Sequence, residues 1–247
     1  FPTDRIITDP LQLAAIGSDA SFYNLTPQVI VDVSEESQVC QVLKEAGKRG
    51  LPVTFRAAGT SLSGQSLSDS ILIRLGKGWN RFHIYDNARR IQLEPGLIGG
   101  NVNRSLARFD RKIGPDPASI DSAKIGGILA NNASGMCCGV SQNSYQTLLS
   151  IRLVLADGTV VDTGDDLSVS RFRSSHAKLL SRLAHLREKV LADTALADRI
   201  RHKFKIKNTT GYSLNALVDF EDPVEIMAHL MIGSEGTLAF ISNAVLE

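Results

Sequence analysis

Ten consecutive residues, Arg56-Ala-Ala-Gly-Thr-Ser-Leu-Ser-Gly-Gln65, constrain this chain more than any other stretch. They follow a short apolar run, Leu51 to Phe55, and nearly all are small. Gly59 and Gly64 open backbone angles closed to other residues, so successive N–H groups can converge into a nest for an anion. A diphosphate suits such a nest. The spacing of Gly59 and Gly64 is that of a Walker loop, but Gln65 stands where that loop carries its lysine. Without the ammonium, a clamp on the β- and γ-phosphates of ATP is excluded. Nor is the run G-x-G-x-x-G, which argues against a nicotinamide-binding start. What is left is a diphosphate held by backbone dipoles, with Arg56 as the neighbouring cation. Taken by itself the run fits an ordinary glycine-rich turn equally well.

Two further segments carry the same character. Gly114 to Gly135 combines a rigid turn at Pro115 and Pro117, a diglycine at Gly126 and Gly127, and the tiny polar run Ala130-Asn-Asn-Ala-Ser-Gly135. The prolines fix the backbone and extend the residues before them. The diglycine predicts a short helix through Ile128 to Ala133, whose small residues let backbone approach a planar ligand and whose amino end favours an anion. A tightly packed small-residue helix is the alternative. Near the carboxyl end, Ile232-Gly-Ser-Glu-Gly-Thr-Leu-Ala-Phe-Ile241 sets Glu235 between two glycines before a β-type run. That spacing predicts a tight turn with one acceptor side chain; on its own, Glu235 reads better as a surface charge.

In this order and separation the three segments resemble the FAD-linked oxidases of the vanillyl-alcohol oxidase and p-cresol methylhydroxylase superfamily. The narrower likeness is to the branch holding D-lactate dehydrogenase, glycolate oxidase, D-2-hydroxyglutarate dehydrogenase and alkyl-dihydroxyacetone-phosphate synthase. Arg56 to Gly64 matches R-G-x-G-T-S-L-x-G with Ala57 and Ala58 for glycines. Lys124 to Gly135 matches T-I-G-G-x-x-A-x-N-A-x-G with Lys124 for Thr, and Gly233 to Leu238 matches G-S-E-G-T-L-G with Ala239 for the last glycine. Smaller echoes are Glu94-Pro-Gly96, Ala156-Asp-Gly158 and Lys207 to Tyr212.

The resemblance implies an α+β fold of two lobes. A small β-α-β lobe runs to about residue 68, and a larger lobe with a mixed or antiparallel sheet and flanking helices fills 69–247; the substrate cap lies outside this chain. It implies FAD, with its diphosphate on Arg56, Ala57, Ala58, Gly59, Thr60 and Ser61. Asp116, Pro117, Ser119 and Ser122 line the cofactor, as do Gly126, Gly127, Leu129, Ala130, Asn131 and Asn132. Ser134, Gly135, Gly139 and Val140 pass near the isoalloxazine. Glu235, Gly236, Thr237, Leu238 and Ile241 complete the set on the AMP side. Relatives that tether the flavin covalently from the first loop place a His where Thr60 stands, so a non-covalent FAD is expected.

The activity implied is oxidation of a small-molecule 2-hydroxy acid, D-lactate first, to the 2-oxo acid with electrons passed to FAD. The alternatives are a transferase like alkyl-dihydroxyacetone-phosphate synthase, or a non-catalytic flavin-binding subunit. A catalytic base is not assignable: His83, His176, His185, His202 and His229 fall in no site motif, and a lone histidine is usually structural. The run Met136 to Tyr145 looks like long bacterial proteins in which this flavoprotein is fused to an iron–sulfur region.

Composition removes other classes. A net charge of +1 on 247 residues attracts neither nucleic acid nor a membrane surface, and no apolar run approaches the ~20 residues that span a bilayer. Cys40, Cys137 and Cys138 form neither a disulfide framework nor a C-x-x-C metal site. A reduced, cytoplasmic setting is expected, with a peripheral position at the inner membrane as a variant for the longer protein. A chain beginning with Phe1 is expected to be a fragment.

Periodicity supplies the elements. Strands are predicted at 29–33, 51–55, 71–75, 81–85 and 90–94, with a helix between the first two, N-capped by Ser34 and stopped at Gly50. Helical spacing follows at 98–109, a hairpin at 147–155 and 160–163, and a helix at 175–192 with the stripe Leu179, Leu183, Leu186 and Val190. A helix at 223–232 and a strand at 237–246 close the chain.

Overall fold

The computed structural model describes residues 2–247. The first sheet is built from β1 (Ile6–Ile7), β2 (Val29–Val33), β3 (Val53–Arg56) and β4 (Ile71–Leu75), in the order β1-β2-β4-β3. β2, β4 and β3 run parallel, with Val31 opposite Ile73 and Arg56 opposite Arg74; β1 closes the edge antiparallel. Continuous apolar runs, Val29 to Val31 in β2 and Ile71 to Ile73 in β4, give these strands an apolar side chain on both faces, as a parallel sheet covered on both sides requires. Val31, Val33, Ile73 and Leu75 pack on α2 (Glu36–Arg49) through Val39 and Leu43, while Ile30 and Leu72 pack on Leu13 of α1 (Pro10–Ile16).

The predicted β-α-β start is present, with two corrections. β4 is an inner strand of this sheet, so the first sheet extends to Leu75, past residue 68. Ser34 does not cap α2 either. Glu35 holds the extended N-cap position, and the Ser34 N–H takes the Gln38 side-chain oxygen at 2.8 Å. Gly50, at φ 63°, ends the helix as expected.

The second sheet is antiparallel throughout: β5 (Phe82–Tyr85), β6 (Arg90–Leu93), β9 (Ala239–Leu246), β7 (Leu148–Leu155) and β8 (Val160–Asp162), in that spatial order. The last strand thus sits in the middle, between β6 and β7. Its inner face meets a helical layer: α3 (Gly99–Leu106), α4 (Ile125–Asn131), α5 (Ser144–Thr147), α6 (Asp166–Ser175), α7 (Ala177–Ala192), α8 (Thr194–Lys203), α9 (Ala216–Asp219) and α10 (Pro223–Met231). Leu153, Ile151, Ile226, Phe172 and Leu129 lie in this core, each burial stabilising by about 1.5–3 kcal/mol.

On α7 the apolar stripe is rotated from its expected position. Leu180, Leu183 and Val190 pack inward, whereas Leu179 is 39% and Leu186 45% exposed. The cause lies upstream: α6 ends at Ser175, His176 leaves helical geometry, and α7 restarts at Ala177 against α9 and α10.

The two sheets are joined through α2. Val154 of β7 and Phe240 of β9 share one apolar cluster with Val39, Leu43 and Trp79. Above it, Arg152 on β7 grips Glu36 on α2 with two hydrogen bonds of 2.8 and 2.9 Å. Ser242 on β9 donates to the same carboxylate at 2.7 Å, and Asp162 on β8 lies 3.4 Å from Arg152. No described helix is long and apolar enough to cross a membrane.

Candidate cofactor site

The loop after β3 leaves the first sheet at its carboxyl edge and faces α4. Gly59 and Gly64 take φ of 70° and 77°, the left-handed region that the sequence demanded. Among the described residues, the backbone N–H groups of Ala58, Gly59, Thr60 and Ser61 donate to no protein acceptor. Four consecutive unpaired amides in a small-residue bend form a ready nest for a diphosphate. Ser61 and Gln65 bond to each other side chain to side chain, closing the loop at its far end.

Arg56 behaves differently from the expected phosphate cation. Its guanidinium turns beneath Gly59 and donates to the carbonyls of Ile16 at 2.6 Å and Ser18 at 2.7 Å. A Cβ on Gly59 would sit 2.6 Å from that guanidinium. Burial pulls Arg56 below its ordinary value, partly offset by Asp19. The side chain is a strut that ties residues 16–20 to the loop, aided by the Ala20 N–H on the Gly59 carbonyl at 3.1 Å. Its Nη1 and Nη2 groups are both engaged by carbonyls.

The three glycine-rich segments converge. A Cβ on Gly127 would lie 3.7 Å from Ala57, so the first turn of α4 stands in contact distance of the loop. The Gly233 N–H reaches the Leu129 carbonyl at 3.2 Å and the Glu235 N–H reaches the Ala130 carbonyl at 2.8 Å. The Asn131 amide donates to the Glu235 carboxylate. Gly236 returns to the first sheet, with a Cβ there 3.2 Å from Phe55. Ala57, Gly127, Ala130, Asn131, Glu235 and Gly236 therefore form one ring of contacts where the two sheets approach each other.

Two details refine the reading of α4. The helix spans Ile125–Asn131, and its first two N–H groups are taken by the Leu97 carbonyl at 2.8 Å and the Pro95 carbonyl at 3.0 Å. Its amino end therefore offers little to an anion, contrary to expectation, while the Gly127 N–H beside Ala57 stays open. Asn132 ends the helix in the left-handed region, φ 48°, with Ser134 donating to its carbonyl at 3.0 Å.

The remaining expected residues fall in four groups. Asp116 and Gly135 are in direct contact: a Cβ on Gly135 would meet the Asp116 carbonyl oxygen at 1.5 Å, so only glycine fits. Lys112 pairs with the Asp116 carboxylate at 3.1 Å. Pro117, Ser119 and Ser122 form the turn below, through Ile120 N–H to the Pro117 carbonyl and Ser122 N–H to the Ser119 carbonyl, each 2.9 Å. The side chains of Leu129 and Ile241 are buried in the core of the second sheet. Gly139 and Val140 lie outside the ring of contacts, and Leu238 is exposed at its rim.

Glu235 is the charged side chain within the ring. Its φ of 55° is costly for a non-glycine residue. Burial pushes its carboxyl up, and the Asn131 amide offsets only part of that. Thr237 beside it bonds Tyr212 at 2.8 Å, which brings the Lys207 to Tyr212 echo to the same rim. Phe55 and Pro95, floor and wall of the ring, carried no polar signal in the sequence; Pro95 was legible only as the centre of Glu94-Pro-Gly96. His229 is structural: it stacks on Phe220 at 4.0 Å and bonds the Glu225 carbonyl at 3.0 Å, and burial lowers its pKa.

A fold of two lobes meeting over a backbone nest defines a dinucleotide-binding module, and comparison with known proteins makes it specific. Residues 27–164 match the FAD binding domain family, and the chain belongs to that family. It is 26% identical over 246 residues to the D-2-hydroxyglutarate dehydrogenase of Pantoea ananatis, covering 94% of this chain and 23% of that protein. It is 25% identical over 221 residues to the D-lactate dehydrogenase of Archaeoglobus fulgidus, covering 89% of this chain and 38% of that one. In structure it is similar to an alkyldihydroxyacetonephosphate synthase with a TM-score of 0.63 at 17% identity, over 100% of this chain and 38% of the other. That last likeness concerns the fold. The chain thus spans about a quarter to two-fifths of the length of these relatives.

Proposed function

We propose that this chain is the flavin-binding part of a D-2-hydroxy-acid dehydrogenase, holding FAD without a covalent link in the cleft between its sheets. The observation that carries the reading is the run of unpaired amides at 58–61, set opposite Gly127. The diphosphate rests on those amides. Glu235 and the carbonyls around α4 receive the AMP half, and Ser134 to Val140 with Asp116 to Ser122 border the isoalloxazine. Bound FAD supplies the redox chemistry; this chain binds it, orients it and keeps water from one face. Thr60 offers no nucleophile suited to a flavin tether, which supports the non-covalent form.

The relatives favour 2-hydroxy acids, with D-lactate and D-2-hydroxyglutarate the two to test. In this reading 1–75 and 76–247 are the two lobes of one domain, and the substrate's hydroxyl and carboxylate are met by residues outside it. An iron–sulfur region in the longer polypeptide, and a reduced cytoplasmic or peripheral-membrane setting, belong to the same proposal; the three thiols are all free.

Titration of FAD into the purified chain tests the core of it. Saturable quenching of flavin fluorescence is expected, with the yellow colour left in the supernatant after acid precipitation. Absence of saturation would remove the reading, and colour on the pellet would remove its non-covalent part. Dye reduction by the full-length polypeptide with D-lactate or D-2-hydroxyglutarate then decides the substrate.

A further inference from the structure

A second hollow, of about 470 Å³, opens at the carboxyl ends of β2 and β4. Its charged walls are Asp4, Arg5, Asp32, Arg74, Lys77 and Lys124, four cations against two carboxylates. Part of that charge is already matched. Arg74 donates from Nε and Nη2 to the two oxygens of Asp32, at 2.6 and 2.7 Å. Arg5 donates to the Ser34 hydroxyl.

Lys124 is in another position. It is partly buried, and its backbone is pinned as the N-cap of α4 and by a bridge to Ile98. Among the described residues its ammonium has no carboxylate within ion-pair distance. Burial and the Arg74 charge both pull its pKa down, and Asp32, already engaged by Arg74, restores only part. A partly buried ammonium beside a guanidinium is unfavourable unless an anion joins them.

We propose that this hollow binds a phosphate group. Lys124 and Lys77 supply ammonium charges as point donors, and Arg74, oriented by Asp32, presents the edge of its guanidinium. A phosphate dianion matches the excess of cations over carboxylates, whereas one carboxylate would leave half of it. The phosphate has two sources: the diphosphate of the flavin itself, or a separate phosphorylated metabolite.

Inorganic phosphate at low ionic strength is the probe, measured by calorimetry on the purified chain without flavin. Saturable binding is expected, weakened about tenfold or more in Lys124→Met and kept within about threefold in Lys124→Arg. In parallel, NMR of the lysine side chains should show the Lys124 amine titrating at higher pH when phosphate is present. The anion stabilises its charged form against Arg5, Arg74 and Lys77, while Asp4 and Asp32 act in the same direction as the anion. Should Lys124→Met fail to fold, that titration in the unaltered chain decides.

Absence of saturable binding, or equal affinity in Lys124→Met, overturns the proposal. Repeating the measurement with FAD-saturated protein separates the sources. Simultaneous binding assigns the site to a free metabolite; competition, with FAD affinity falling in Lys124→Met, assigns it to the flavin's own phosphates. A chain that binds phosphate through Lys124 but never binds FAD would sink the proposed function and leave this site standing.

Discussion

The seam between the sheets and the cleft between them are built on opposite principles. At the seam, charged side chains meet matched partners: Glu36 receives Arg152 twice and Ser242 once, over a cluster of Val39, Trp79, Val154 and Phe240. In the cleft, side chains are small and the polar work falls to backbone, as with the unpaired amides at 58–61 and the strained Glu235. The seam spends its polar groups on itself. The cleft withholds them, which is what a surface that must receive a large dinucleotide requires. Stability and affinity should therefore separate: seam variants should lose the first, cleft variants the second, except where a glycine does both.

Gly135→Ala is that exception and should show the largest effect. The added methyl would overlap the Asp116 carbonyl oxygen, and backbone atoms cannot swing aside as a side-chain tip would. We expect a loss of about 3 kcal/mol or more, seen as a lowered urea midpoint, together with loss of FAD binding. Unchanged stability would show that the turn at 116 yields, and that the cleft is softer than its contacts suggest.

Arg152→Met, at the seam, comes next. Burial alone would raise the Glu36 pKa, but hydrogen bonds from Arg152 and Ser242 outweigh it and hold the carboxyl below its ordinary value. The stability Glu36 contributes is thus present above the unfolded pKa of about 4.3 and is lost as pH falls through the lower folded value. The pair is partly exposed, so removing Arg152 should cost about 2 kcal/mol at neutral pH, less than for a fully buried pair. Urea midpoints between about pH 3 and pH 7 should also lose this acid-side dependence. FAD affinity should change by less than about threefold, and a larger change would erase the distinction between seam and cleft.

How far the sequence foretold these two regions follows from the same contrast. The glycine-rich segments were legible because their demands are local: left-handed positions call for Gly59 and Gly64, and close approach calls for Gly126 against Pro95 and Gly135 against Asp116. The strands at 29–33 and 71–75 were legible from apolar patterning. Partnership was not. That β4 completes the first sheet, that Arg56 spends its guanidinium on the Ile16 and Ser18 carbonyls, and that Arg152 finds Glu36 across 116 residues are long-range facts with no periodic trace. The rotated stripe of α7 has the same origin, because Leu180 rather than Leu179 turns inward only once α6 fixes where the helix begins.

Gly59→Ala tests the cleft more gently. Alanine at a φ of 70° costs about 1 kcal/mol, and its methyl would press on the flexible end of Arg56 rather than on backbone. The expected stability loss is about 1–2 kcal/mol, while FAD affinity should fall about tenfold or more as the nest at 58–61 loses its curvature. Affinity held at the level of the unaltered chain would mean that the diphosphate lies elsewhere.

Glu235→Gln should have the smallest effect on stability and the opposite sign. Burial raises the Glu235 pKa in the fold above its unfolded value, despite the Asn131 hydrogen bond. Folding is therefore favoured while the group is protonated, and that advantage is lost as pH rises through the folded pKa. The neutral amide removes the penalty, so the variant should gain about 0.5–1 kcal/mol at neutral pH and nothing in acid. Its flavin affinity should nonetheless drop about tenfold, because an amide accepts fewer and weaker hydrogen bonds than a carboxylate. A gain in stability paired with a loss of binding is the trade expected where a group is kept for its ligand against the interest of the fold. If both quantities stay flat, Glu235 is only a turn residue, and the cleft's grip on FAD rests on amides alone.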